Sequence, residues 1–432
     1  MKFLQKLTIV VFLIGFLSTA HALVLTHEVD IPGGSVVEVL IDGEYGYIAT
    51  FDGYVYKFPL ADPSLVEKLY PISGTPLGNI YGKPAIYGNY LLIPYASYKI
   101  IAIDKNTGAF KVVYPESIID VRTDLVIDDN SDILYFGDEV GVFHAIRLEF
   151  NAQLQLQFVP VWNFPTGQTI RTPAYVDNGI VYFGNSAGNL YAKDQFSGAE
   201  IWTQSIAPDD IARGVIGDLF INDNIFVTSQ AGRLHKLNKA NGADIWNYPA
   251  LNKDPLPGLV TAGPARSGNV FGFGTNKTTF WGIEDGATEP GTAWVYDDYQ
   301  GEARIPSKAT VDRRERFVFG SEDGCVYQVN NQGGLVDRYC SGYPITASPI
   351  INGSLIYVVT KADDTGKLLV FTDGAGDING DNQITLADAI IALQIISGLN
   401  PGGIDLEADV NGDNKIGLPE VIYVLQIIGG LR

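Results

Sequence analysis

Two short segments near the C-terminus carry oxygen-bearing side chains at intervals that suit a divalent cation. In the first, Asp377, Asn379, Asp381, Thr385 and Asp388 occupy positions 1, 3, 5, 9 and 12 of a loop, and Gln383 at position 7 offers its backbone carbonyl. The second repeats this 32 residues later with Asp409, Asn411, Asp413, Lys415 (through its carbonyl) and Glu420. Calcium takes roughly six to eight oxygens around a tight turn, and such spacing delivers them from one segment. Asn382 and Asn414 stand where these loops usually have glycine, a replacement Asn permits because it tolerates the left-handed region. Gly417 has no side-chain oxygen, so water is expected at that position. The chemistry is cation binding, with two Ca2+ expected.

Something must hold each loop in shape. An apolar segment follows each one at the same offset, Leu386–Leu399 and Leu418–Leu431, and both are expected to be helices ending at glycine. Leu386, Ile390 and Leu393 make one stripe and Ile391 and Ile395 another. So small a module can bury only one face in its own core, which leaves the other for a partner or for the preceding domain. These two loop-plus-helix units resemble a type I dockerin over 377–432. The resemblance implies a small all-α double EF-hand-type domain that binds a cohesin-like receptor or another surface protein. That family recognises its receptor through loop positions 10 and 11, often Ser-Thr. Here they are Leu386-Ala387 and Leu418-Pro419, a departure in recognition but not in metal ligands.

Upstream, one pattern returns along 33–371 with a period in the mid-forties. Its best copy runs from Val181 through Tyr182-Phe183-Gly184, Gly188, Leu190-Tyr191-Ala192 and Asp194 to Trp202. Others lie at Ile225–Trp246, Val318–Tyr327 and Tyr135–His144, with weaker copies at Ile48–Tyr56, Leu92–Asp104, Gly272–Trp281 and Tyr357–Leu369. Turn glycines are expected at 53, 141, 188, 232, 324 and 366. Short β-branched and aromatic runs between Gly, Asn, Asp and Ser turns are strand-turn-strand chemistry, about four strands to a unit. Eight such units make an all-β eight-bladed β-propeller, with a seven-bladed ring as the alternative. After Phe371 no outer strand follows, so Leu23–Val29 is expected to supply it and close the ring. Domain boundaries follow: leader 1–22, propeller 23–371, linker 372–376 and calcium module 377–432.

The pattern Tyr-Phe-Gly-x-x-x-Gly-x-Leu-Tyr-Ala-x-Asp-x-x-Ser-Gly-x-x-x-Trp at 182–202 resembles the PQQ-like propeller repeat. In that family the tryptophan docks between blades, which implies this role for Trp202 and Trp246 and, in weaker copies, Trp162 and Trp294. The repeat is shared with quinone-dependent dehydrogenases, which carry a vicinal disulfide and a calcium beside the quinone. This chain has no adjacent cysteines and its evident calcium ligands lie in the C-terminal module, so PQQ is not expected. His144 and His235 fall on strand positions, and no Ser/His/Asp, HExxH or phosphate-loop pattern occurs. The expectation is a non-catalytic binding or scaffold protein with a protein or polysaccharide ligand on the propeller. The alternative is a quinone-dependent dehydrogenase or a carbohydrate-active propeller enzyme.

Lys2 and Lys6, an apolar run from Leu7 to Leu17 and the end Ala20-His21-Ala22 form the pattern of a secretory leader, cleaved after Ala22; the alternative is a buried N-terminal helix. The run is short for a membrane span, and no other stretch is long and apolar enough. A secreted, periplasmic or cell-surface location is expected. Formal charge is −20, and loss of the leader makes it two units more negative. Such a field disfavours nucleic acid and anionic membrane surfaces. Cys325 and Cys340, the two cysteines, flank Asn331–Gly334 symmetrically. A hairpin turning there would oppose them for a disulfide, the alternative being two free thiols packed as small apolar groups.

Overall fold

The computed structural model describes residues 23–432 except 73, 97–98, 115–119, 207–213, 298–302, 354, 374, 382–383, 411–414 and 429–432. The expected leader, Gln383, Asn411, Asp413 and both position-6 asparagines therefore lie outside the described residues. The chain divides into two compact units, Leu23–Asp373 and Gly374–Arg432.

The larger unit is a ring of eight antiparallel four-stranded sheets. Blade 1 consists of Leu40–Asp42, Tyr45–Ala49, Val55–Pro59 and Glu67–Tyr70 in that spatial order. Blades 2 to 7 repeat the same meander over 85–113, 126–165, 175–205, 220–248, 265–296 and 310–340. First strands of neighbouring blades approach one another, as between blades 2 and 3, 6 and 7, and 7 and 8, so they are innermost. The eight expected repeat copies fall one to a blade, on the two middle strands, and the two that end at Trp202 and Trp246 run on into the outer strand.

Middle strands are covered on both faces, which is why they read as unbroken apolar runs. Their period of two sorts side chains between the two neighbouring interfaces. In blade 4, Val181, Phe183 and Tyr191 join Tyr135, Phe143 and Ala145 of blade 3. Tyr182, Leu190 and Ala192 join Leu219, Ile225 and Val227 of blade 5. Phe143 and Phe183 stack across the first interface with ring centroids 3.7 Å apart.

Outer strands are stapled to the next blade by tryptophan. The indole N–H of Trp162 donates to Gln195 O (3.0 Å), that of Trp202 to Lys239 O (3.1 Å), that of Trp246 to Gly286 O (3.0 Å) and that of Trp294 to Asn331 O (2.9 Å). Three of these rings lie on a turn glycine of the next blade with positive φ: Gly198, Gly242 and Gly333. A Cβ at Gly198 would sit 2.7 Å from the Trp162 ring, so the glycine is needed twice over, for φ and for space. The turn is shaped by Asp194, whose carboxylate accepts the Phe196 and Ser197 N–H groups.

Blade 8 comprises Ile350–Asn352, Leu355–Val359 and Thr365–Asp373, and its outer strand is Leu23–Pro32. Register runs from Leu23 opposite Asp373 to Pro32 opposite Thr365, with an irregularity between Leu25 and His27. The first strand thus covers the open edge of the last, as expected, and the last strand continues two residues past the expected limit at 371. Glycines 53, 141, 188, 232 and 324 all have positive φ in hairpin turns. Gly366 does not. It lies inside the strand Thr365–Asp373, where a Cβ would meet Thr360 O at 2.2 Å and Gly34 Cα at 2.5 Å. Asp363, with φ +48°, is the left-handed residue of that hairpin. Cys325 on the third strand of blade 7 faces Cys340 on the outer strand, and the two form a disulfide.

The smaller unit has two α-helices, α1 (Leu386–Ile396) and α2 (Leu418–Ile428), with a 3-10 turn Leu406–Ala408 between them. The helices pack on each other. Its core is small: Ile378, Ala392, Ala408, Ile416 and Val421, with Ile391 and Ile395 packed partly against it. Among the described residues no helix is long and apolar enough to cross a membrane.

Candidate functional site

Each helix of the smaller unit begins where its loop ends, and the same carboxylate organises both. Thr385 caps α1 by accepting the Ala387 N–H at 3.2 Å, and Asp388 returns to accept the Thr385 N–H at 2.8 Å, a capping box. The other Asp388 oxygen accepts the N–H groups of Ile378 (2.8 Å) and Asn379 (3.1 Å). Glu420 does the same in the second loop, accepting from Val410 (3.1 Å) and Gly417 (2.5 Å). Position 12 thus holds the backbone at positions 2 and 9 in both loops. In the first loop Asp377 and Asn379 both accept the Asp381 N–H, at 3.2 and 2.9 Å, and the Asn379 amide donates to Asp381 at 2.9 Å.

Asp377, Asp388, Asp409 and Glu420 are all buried. Among the described residues neither Asp388 nor Glu420 meets a basic side chain; their donors are backbone N–H groups and, for Asp388, the Thr385 hydroxyl at 3.3 Å. A carboxylate removed from water needs compensation beyond what neutral donors supply. The oxygen-only chemistry of Asp377, Asn379, Asp381, Thr385 and Asp388 fits a hard cation. Among the described residues no three His, Cys, Asp or Glu side chains stand grouped as a metal cluster.

On the helices, the first expected stripe is exposed and the second faces inward. Leu386, Ile390, Leu393 and Ile396 are exposed on α1; Leu418, Ile422, Leu425 and Ile428 are exposed on α2 at the same offset of 32. Leu386 and Leu418 are 57% and 59% accessible. Two adjacent helices each presenting four large aliphatics to water form a patch of the kind that marks an interaction surface.

A second polar constellation lies on the ring, at the residue two positions before each innermost strand. Reading around the blades, these are Glu38, Lys83, Asp124, Pro173, Asp218, Gly263, Lys308 and Ser348. Lys83 Nζ meets Glu38 Oε1 at 2.5 Å, and the Lys83 N–H donates to Asp124 at 2.8 Å. Lys308 Nζ reaches Asp218 at 2.6 Å, from blade 7 to blade 5 over the position where blade 6 has Gly263. A contact that skips a blade requires both side chains to point at the axis. Burial lowers the Lys83 pKa, but Glu38, Asp124 and Asp218 outweigh this and raise it well above the usual lysine range. Loss of solvent, with Glu38 and Asp218 adding repulsion, pushes Asp124 up to about 6 against the pull of Lys83.

Residues 186–394 match the family model of PQQ type described as "Outer membrane protein assembly factor BamB". BamB from Moraxella catarrhalis superposes with a TM-score of 0.61 at 17% identity, covering 80% of this chain and 97% of its own. The computationally designed Ika8 protein gives 0.59 at 14% identity over 80% of this chain and 98% of its own. A europium-containing methanol dehydrogenase gives 0.59 at 13% identity over 81% and 93%. Comparison by sequence with curated proteins finds no match. Residues 186–394, just under half of the chain, are thus similar to PQQ-like, BamB-type repeats, and the ring as a whole shares the propeller fold of these structures.

Within the ring His144 and His235 are interior. His144 stacks on Phe136 (4.7 Å) and its Nε2 lies 3.1 Å from Asp138. His235 bridges Ser229 (3.2 Å) and Asn247, an arrangement of hydroxyl, imidazole and amide not foreseen from residue spacing. Ser229 and His235 are wholly buried, so this chain of hydrogen bonds joins the two middle strands of blade 5 to its outer strand and offers no surface to a substrate. Cys325 and Cys340 staple a hairpin and are not the adjacent pair of the quinone-dependent enzymes, whose likeness here extends to the fold alone. The axial residues were also missed. Their signal is a constant offset before the first strand, readable only once blade register is known.

Proposed function

We propose that this is an exported, non-catalytic binding protein: a BamB-type propeller that engages a protein or polysaccharide, joined to a module that binds two Ca2+ and attaches to a protein partner. The observation that carries the reading is the duplication in the smaller unit. Position-12 carboxylates organise both loops through the same backbone positions, and exposed apolar stripes follow both at the same spacing. Asp377, Asn379, Asp381, Thr385 and Asp388 would hold the first ion with the Gln383 carbonyl. Asp409, Asn411, Asp413 and Glu420 would hold the second with the Lys415 carbonyl. The ion supplies the positive charge the buried carboxylates call for, and its removal should loosen the loops and the helices they start. The exposed stripes support attachment to a cohesin-like receptor or another surface protein; their aliphatic character at loop position 10 favours an apolar counter-surface over a polar one. The family description, an assembly factor, supports protein binding by the ring. The leader pattern supports export.

Titration of the chelator-stripped protein with CaCl2, followed by calorimetry and far-UV circular dichroism, tests the metal assignment. Uptake of about two equivalents with a gain in helical signal is expected, and the double variant Asp388→Ala/Glu420→Ala should lose most of both. No heat and no spectral change at millimolar calcium would overturn it.

A further inference from the structure

We infer that hydrolysis of the Ala22–Leu23 bond creates an α-ammonium group that pairs with the buried Asp337 carboxylate and clasps the ring shut. The Leu23 backbone nitrogen donates to Asp337 Oδ2 at 2.8 Å, across 314 residues of sequence. Both residues are buried, Leu23 at 4% and Asp337 at 9% accessibility. The Leu23 side chain is sunk among Val318, Val326, Ile345 and Ile356 at the interface of blades 7 and 8. Asp337 belongs to the outer strand of blade 7, Leu335–Cys340, while Leu23 opens the outer strand of blade 8. The bond therefore ties the closing strand to the neighbouring blade at the point where the closing strand begins. The other Asp337 oxygen accepts the Arg338 N–H at 2.8 Å.

The position of this nitrogen coincides with an independent feature of the sequence. Ala20-His21-Ala22 is a small-x-small end of the kind a leader peptidase cuts after, which makes Leu23 the first residue of the mature chain. The inference rests on that reading of 1–22. In the cut, water adds its hydroxyl to the Ala22 carbonyl carbon, the C–N bond breaks, and the nitrogen takes the remaining hydrogen. An α-amine has an ordinary pKa of about 7.7–8.0, so near neutrality it takes a further proton and becomes a cation. A neutral amide donor on Asp337 is thereby replaced by a charged one, and charge-assisted hydrogen bonds are shorter and roughly twice as strong. Processing and ring closure are coupled: the uncut chain closes with a neutral bond, the cut chain with an ion pair.

The test compares three forms of the full mature chain. One begins at Leu23, released from a fusion by a protease that leaves nothing in front. A second retains His21-Ala22 before it. The third is the first form acetylated at its α-amine. Guanidinium unfolding should show the free Leu23 form favoured by about fivefold in the folding equilibrium constant over the other two. Asp337→Asn should bring all three together. Equal stability of the three forms with Asp337 intact would overturn the clasp, and this comparison needs no substitution should Asp337→Asn fail to fold. Mass spectrometry of the exported protein reads the cut itself. An N-terminus other than Leu23 would overturn the processing reading, while the prepared Leu23 form still decides whether the ammonium–Asp337 pair forms.

Discussion

The ring and the C-terminal module solve the same problem, buried charge, in opposite ways. In the ring, interior cations are matched by partners from the chain itself. Lys236 is buried with Asp285 at 2.6 Å and the Gly286 carbonyl at 2.9 Å, and Lys193 pairs with Glu200 at 3.1 Å while lying over the Phe164 ring. Arg233, wholly enclosed, donates to the carbonyls of Pro249, Ala250 and Lys253. In the module, buried Asp388 and Glu420 meet backbone N–H groups and the Thr385 hydroxyl but no cation among the described residues, and the aliphatic faces of both helices stand in water. The difference teaches where each unit gets its stability. Blades cover each other's faces and tie off their own edges. The module has a core of a few side chains and leaves one charge and one surface to be completed from outside, which is the physical content of reading it as a calcium-dependent attachment device.

The largest test of that contrast removes the closing strand. Deleting residues 23–30 from the mature chain uncovers the edge of the last strand from Lys367 to Asp373 and takes Leu23 out of the apolar cluster of blades 7 and 8. An edge of that length with no partner is both unsatisfied and prone to intermolecular pairing. The melting temperature of the ring should fall by about 10 °C or more, with aggregation on heating. Calcium titration should still raise the helical signal. A ring that melts unchanged would mean that closure is not where its stability lies.

A smaller effect probes the blade interfaces. Trp202→Ala removes a ring that lies on Gly242 and donates to Lys239 O, and should cost about 3–5 kcal/mol in guanidinium unfolding. Trp202→Phe keeps most of the apolar area and loses the indole N–H, for about 1 kcal/mol. If the two variants were equally destabilised, the hydrogen bond rather than the buried ring would be the staple.

How much of this was legible follows from the range of each interaction. The blades were, because a hairpin is a local object: alternating apolar runs and turn residues such as Gly188 and Asp194 sit within a few positions of one another. The tryptophan staples were legible only through the family likeness, since Trp202 acts on the next blade. Gly366 was misread as a turn residue because a glycine required for close approach to Gly34, far away in sequence, looks the same as one required for φ. The calcium-loop residues were legible as a pattern, and the capping role of Asp388 could be read from Thr385 three residues earlier. The Ser229–His235–Asn247 chain and the axial ring were not, because they depend on which strand faces which.

The axial ring also holds the ring's exception to its own rule, and gives the finest test. Asp124 is an acid in the larger unit that burial, with Glu38 and Asp218 adding repulsion, raises to about 6 from an ordinary 3.8 against the pull of Lys83. A raised carboxyl pKa means that the folded ring holds a proton the unfolded chain has already released. Its contribution is therefore fully present below about pH 4 and is lost as pH rises through about 6. Relative to Asp124→Asn, which cannot ionise, the wild type should lose about 1–2 kcal/mol between pH 4 and pH 7, less than the full shift allows because solvent still reaches this partly buried group. Urea unfolding midpoints of both proteins across that range measure the difference. Lys308→Met should steepen the change, since it leaves Asp218 without its 2.6 Å partner and increases the negative potential at Asp124. Parallel pH profiles for wild type and Asp124→Asn would show that the axis, like the blades around it, already supplies all the counter-charge it needs.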